Sequence, residues 1–299
     1  NSIVVTYTVT ASFGTAPNSC TDTFAINVTV NPEPQIADVV QTICSGDTFT
    51  VTPTNTAPDV VPTGTTYTWT VAAPAGITGA SDQATAQTSI SQTLTNTTST
   101  SLSAIYTVTA SVGTAPNICT DTFTITVTVN PKPSIADVTQ AICTGNTFTV
   151  TPTNTAPDVV PTGTTYTWTV TTPAGITGAS NQATAQTSIS QTLSNSTSNS
   201  IVVTYTVTAS FGTAPNVCTD TFTIAVTVNP QPSIADVVQT ICSGDTFTVT
   251  PTNTAPNVVP TGTTYTWTVT TPAGITGASN QATAQTSISQ TLTNTTLGS

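Results

Sequence analysis

The chain has 299 residues with 12 acids, a single basic residue (Lys132) and no histidine, so its net charge is −11. Without imidazole or guanidinium it lacks the usual groups for acid–base work, transition-metal ligation and phosphate binding, and its charge repels nucleic acid and anionic membrane surfaces. Hydrophobic residues, at 36%, suffice for packed cores, while no apolar run approaches the ~20 residues of a membrane span.

In chain order, residues 1–30 contain two runs, "IVVTYTVTASF" and "TFAINVTV", which read as strands. A Pro-x-Pro pair, Pro32 and Pro34, ends the second run because proline cannot donate to a ladder. Strands are then expected over 36–43, 48–53, 66–71, 87–95, 104–111 and 122–129, with a short piece near 77–80. The turn residues "CSGD", "PTGT", "PAG" and "GTAPN" punctuate the intervals. Pro131 and Pro133 close this series, and the pattern starts again. Tyr7, Tyr106 and Tyr205 each open "YTVTAS", Trp69, Trp168 and Trp267 each sit in "TYTWTV", and every step is 99 residues.

That period suits one Ig-sized β-sandwich and is too long for a solenoid turn. No helical period is present. The sequence therefore predicts an all-β protein of tandem Ig-like antiparallel sandwiches, joined by stiff proline linkers into a rod-like array. Residues 1–30 are the last two strands of a preceding domain, 31–129 and 130–228 are whole domains, and 229–299 is a domain lacking its last two strands. With no leader and no methionine, the chain reads as an excerpt of a longer one. The residue between the paired prolines is Glu33, Lys132 or Gln231, so Lys132 reads as a solvated linker residue.

Trp69, Trp168 and Trp267, with Tyr67, Tyr106, Tyr166 and Tyr205, are expected in the cores; the competing reading of the tryptophans is an aromatic platform for sugars. Gln92 shares parity with Ile90 and Leu94, so it either points inward and needs partners or sits on a bulge. Acids recur near the joints. Asp38, Asp47, Asp137 and Asp220 are weak calcium candidates, weak because no D-x-D-x-D-G loop is present and Asp47 becomes Asn146 in the next copy. Asn27, Asn96, Asn195 and Asn294 fall in N-x-S/T, a motif expected by chance in so threonine-rich a chain. No catalytic constellation is present, so no enzyme activity and no cofactor are expected.

Six cysteines at regular spacing without C-x-x-C point to disulfides in an oxidising compartment rather than zinc. Cys44 falls in the first turn of its domain and Cys119 in the last. In an Ig-like sandwich these turns lie at opposite ends, ~20 Å apart for a strand of six or seven residues, whereas a disulfide needs Cα atoms within roughly 7 Å. The first strand runs parallel to the last, so Cys44 arrives beside Asn130, close to the next domain's entrance and its Cys218. The expected bond is Cys44–Cys218 across "NPKP", with Cys44–Cys119 and Cys143–Cys218 as the intradomain alternative. Cys143 and Cys242 would then pair with later domains, and Cys20 and Cys119 with earlier ones. The loop 54–64 is expected at the domain entrance, with Val60 and Val61 against the preceding domain.

The motifs "NPxPxIAD", "ICSG", "TYTWTV", "ITGASNQATAQTSISQTLTNTT" and "CTDTFTITVTVNP" resemble the PKD-like, Ig-like tandem repeats of giant Bacteroidetes surface adhesins, those of flavobacterial gliding motility above all. The resemblance covers the whole chain and implies export by the type IX secretion system, filaments on the bacterial cell surface, and attachment to surfaces or polysaccharides. The expected role is a structural and adhesive stalk whose partners in this segment are further copies of the repeat, with no membrane insertion. The alternatives are a carbohydrate-binding module array of a secreted protein, or a filament assembled by strand complementation.

Overall fold

The computed structural model describes residues 2–296; residue 1 and residues 297–299, the outer ends of the first and last expected segments, lie outside the described residues. Every regular element among them is a strand. The chain divides into two compact units. The first comprises Asn1–Ser134, Thr153–Thr164 and Ser210–Asp220, and the second Ile135–Pro152, Thr165–Ala209 and Thr221–Ser299.

The first unit opens with a hairpin of β1 (Ile3–Phe13) and β2 (Cys20–Val30). Its sandwich is built from β3 (Val39–Cys44), β4 (Thr48–Val51), β5 (Thr66–Ala72), β6 (Ile77–Thr78), β7 (Gln83–Gln87), β8 (Ile90–Thr93), β9 (Thr95–Asn96), β10 (Leu102–Thr114) and β11 (Asn117–Asn130). One sheet has the order β3-β11-β10-β5-β7; β4-β8 and β6-β9 form the opposing layer. All pairings are antiparallel except β3 on β11, which is parallel and sets Cys44 opposite Asn130.

The alternating run in β11 buries Phe123, Ile125, Val127 and Val129 and leaves the intervening threonines outside, as a one-faced strand must. They pack with Phe49, Tyr67, Trp69, Ile90, Leu94, Tyr106 and Val108 in one core. Phe49 and Tyr106 lie 5.0 Å apart, and Tyr67 meets Phe123 edge-on at 6.4 Å.

The expected strand 87–95 is in fact three pieces. β7 pairs with β5, a bend at Thr88–Ser89 follows, β8 crosses to pair with β4, and β9 pairs with β6. Gly79 has φ +88°, and a Cβ there would lie 2.1 Å from the Thr93 carbonyl oxygen, so this crossover requires glycine.

The second sandwich repeats the plan with β12 (Val138–Cys143), β13 (Thr147–Val150), β14 (Thr165–Val170), β15 (Ile176–Thr177), β16 (Gln182–Gln186), β17 (Ile189–Thr192), β18 (Ser194–Asn195), β19 (Ile201–Phe211) and β20 (Cys218–Asn229), in the order β12-β20-β19-β14-β16. The third repeat holds β21 (Thr246–Val249), β22 (Tyr265–Trp267), β23 (Ile275–Thr276), β24 (Gln281–Gln285), β25 (Ile288–Thr291) and β26 (Thr293–Asn294), paired as three two-stranded sheets. Without strands to match β10 and β11, residues 237–242 form no strand and Trp267 is only half-buried.

Candidate functional site

Within the first unit, the end of the first sandwich meets the loops 153–164 and 210–220 of the following repeat. Cys44 closes β3, and its backbone is held from both sides. Its N–H donates to Asp47 Oδ2 at 3.3 Å, and Ser45 N–H donates to the Asn130 carbonyl at 2.8 Å. Cys218 opens β20 and is 1% exposed. The two are joined as a disulfide with Cα atoms 5.5 Å apart, across 174 residues of sequence. The alternative Cys44–Cys119 bond is not formed. Cys119 lies on β11, eleven residues before Asn130, while Cys44 is in register with Asn130 at that strand's far end.

Further contacts support this joint. Ser134 and Val159 exchange backbone hydrogen bonds of 2.9 and 2.8 Å, which ties the linker to the loop. In that loop Asn154 Oδ1 accepts from Val160 N–H, and its Nδ2 donates to Ser99 Oγ at 3.0 Å. Pro131 and Pro133 are buried. Lys132 is half-exposed, 4.0 Å from Asp220, a surface pair worth at most about 1 kcal/mol. Asn154 was not singled out from the sequence, although "PTNTAP" recurs in all three repeats and carried the signal. In the equivalent loop of the first repeat, Val61 packs on its own core, and the Val60 backbone bridges to Gln35.

The calcium candidates are engaged with the backbone or with Lys132. Asp38 Oδ1 accepts from Thr124 N–H at 2.6 Å, and Asp137 Oδ1 from Thr223 N–H at 2.6 Å. The Thr124 hydrogen bonds hold the Asp38 carboxyl below its ordinary range. Asp47 serves Cys44, and Asp220 faces Lys132. Asp121 and Asp59 accept from Ile36 and Ala37 N–H. These carboxylates fix the chain as it enters the sandwich, and among the described residues no three His, Cys, Asp or Glu side chains converge as a metal site.

Trp69 and Trp168 are 6% and 5% exposed, and Tyr67, Tyr106, Tyr166 and Tyr205 at most 2%. The Trp69 indole N–H donates to the Ser81 carbonyl at 3.1 Å. Gln92 points inward: its Oε1 accepts from the Tyr106 hydroxyl at 2.8 Å and from Ser81 N–H, and its Nε2 donates to Ser81. Gln191 and Tyr205 repeat the pair at 2.9 Å. Burial pushes the Tyr106 and Tyr205 hydroxyls up to about 12. Asn96 and Asn195 are buried, and both amide nitrogens donate to carbonyls. They are closed to a glycan as long as the fold holds. Cys20, Cys143 and Cys242 are exposed thiols, and Cys119 is half-buried.

Antiparallel sandwiches in tandem, a satisfied core and a covalent joint define a repeat protein of the Ig-like class. The model of the PKD-like domain matches residues 41–133, 140–232 and 239–298, and the chain belongs to that family. No curated protein matches. Among solved structures, an I-band fragment of titin is 12% identical, covering 88% of this chain and 86% of its own, with a TM-score of 0.32. The N-terminal four Ig domains of Dscam1 are 10% identical, covering 75% and 47%, with a TM-score of 0.26. A SusE-like surface-located polysaccharide-binding protein of Bacteroides thetaiotaomicron is 11% identical, covering 80% and 42%, with a TM-score of 0.27. At such scores these likenesses say nothing of partners or activity.

Proposed function

We propose that this chain is a stalk segment of a long extracellular surface filament, a bacterial adhesin that serves surface attachment or gliding and is exported by the type IX system. Tandem Ig/PKD-like repeats suggest an extracellular structural or adhesive module, and this fold is typically non-enzymatic. No helix among the described residues is long and apolar enough to cross a membrane.

The observation that carries the reading is the Cys44–Cys218 bond, which fastens one repeat to the next in a chain almost devoid of protease-sensitive cations. Division into repeats at 31, 130 and 229 belongs to the same proposal. A sugar platform would need exposed aromatic faces, and burial of Trp69 and Tyr67 does not favour it. The surface or polysaccharide ligand then lies elsewhere on the filament. Antibodies against residues 31–228 are expected to label intact, unpermeabilised cells that make this chain and to reduce their attachment to glass or polysaccharide. Labelling confined to permeabilised cells would overturn the reading.

A further inference from the structure

The strand β7, "QATAQ", is an edge of its five-stranded sheet, with β5 on one side and, among the described residues, no strand on the other. Such an edge offers its free N–H and C=O groups to any extended chain. The usual deterrents are missing. β7 has no charged residue and no proline, and Ala84, Thr85 and Ala86 are exposed. The same five residues recur in β16, the edge of the second sandwich's sheet, and in β24.

The backbone is nevertheless not open. Tyr67 lies opposite Gln87 and Trp69 opposite Gln83, so the single residue Thr68 faces three on β7. This bulge leaves Thr85 without a partner on β5. Its backbone groups are taken by its own strand instead. Thr85 N–H donates to Gln83 Oε1 at 3.1 Å, and its carbonyl accepts from Gln87 Nε2 at 3.2 Å. Gln182 and Gln186 hold Thr184 in the same way, both at 3.3 Å, and Gln281 and Gln285 hold Thr283, also at 3.3 Å. The preceding residue works beside them. Asp82 Oδ1 accepts at 2.8 Å from the N–H of Val71, which lies on β5 beyond its last residue paired with β7. Asn181 does this for Val170 and Asn280 for Val269, so an amide serves as well as a carboxylate.

We infer that the two glutamines of Q-A-T-A-Q hold this edge closed to strand addition, so that copies of this chain can lie side by side without joining their sheets. The occupant kept out is an extended strand, in the first place β7 or β16 of a second copy, whose uncharged sequence meets its own kind without repulsion. To pair there, it would have to break both amide bonds at the central residue of a five-residue strand before gaining a ladder. Amides thus take the place of the charges that usually blunt an edge, in a chain with a single basic residue.

The test combines Gln83→Ala, Gln87→Ala, Gln182→Ala and Gln186→Ala in the 299-residue chain, since alanine removes the amides without adding apolar surface. Sedimentation velocity over a range of concentrations reads self-association, and amide exchange locates it. The quadruple variant is expected to associate at least tenfold more tightly than the parent, with the Thr85 and Thr184 amides slowed at least tenfold on association. Gln231→Ala, in a linker, is expected to sediment like the parent. Adding Thr85→Pro and Thr184→Pro removes the N–H that an incoming strand needs and returns association to the parent level. A quadruple variant that sediments like the parent would overturn the inference. So would an equal gain from Gln231→Ala, an association that leaves those two amides unslowed, or one that survives the prolines. Protection of the Tyr106 and Tyr205 amides reports that the sandwiches are folded. Where it is lost, Gln87→Ala with Gln186→Ala carries the same test with the same outcomes.

Discussion

Gln92 and Tyr106 show how a single polar pair settles a side chain's direction. Parity left Gln92 either inward or turned out by a bulge, and an inward amide without partners would cost several kcal/mol. The Tyr106 hydroxyl and Ser81 supply those partners. Tyr106→Phe is expected to destabilise the sandwich by about 1 kcal/mol at neutral pH, since Gln92 keeps its Ser81 donor. The pH dependence has a definite sign. The folded hydroxyl titrates at about 12, above the ~10 of an unfolded tyrosine, so its contribution is full below about pH 10 and is lost as pH rises through about 12. Urea unfolding at pH 7 and pH 11 should therefore show a smaller gap between parent and variant at the higher pH. An unchanged gap would mean that burial does not keep the hydroxyl protonated above the ordinary tyrosine range. At the same scale the sequence was only partly legible. It marked Trp69 and Trp168 as inward, where they are buried, but left open which way Gln92 points.

At the scale of elements, the alternation in 122–129 and the proline stops gave the fold class directly, because a one-faced strand leaves a period-two record. The crossover at Thr88–Ser89 left none. Ser and Thr are tolerated in strands, no Gly or Pro marks the bend, and Ile90, Gln92 and Leu94 keep one parity beyond it, so three short strands read as a single run. Strand ends were underestimated for a related reason. The β10–β11 hairpin continues past its buried part, and that placed Cys119 on a strand rather than in a turn. The element most dependent on its neighbour is β3. Val39–Cys44 is a strand where β11 lies alongside, while the equivalent 237–242, with the same six residues, is not. Hydrogen exchange is expected to find 39–44 and 138–143 protected, and 237–242 exchanging roughly a hundredfold faster or more. Equal protection in all three segments would show that the segment folds without its ladder.

At the scale of the whole molecule, the Cys44–Cys218 bond decides which residues feel tension applied at the ends of the chain. The 174-residue stretch between the two cysteines is bypassed while the bond is intact. Single-molecule pulling should therefore release no length from it until a reductant is added, whereupon about 600 Å becomes available at ~3.5 Å per residue. Early release of that length under oxidising conditions would show that the joint is not closed. The same bond also changes what a backbone cut can do. Between Cys44 and Cys218 there are two covalent routes from one end of the molecule to the other, so a single break in that interval leaves both halves attached.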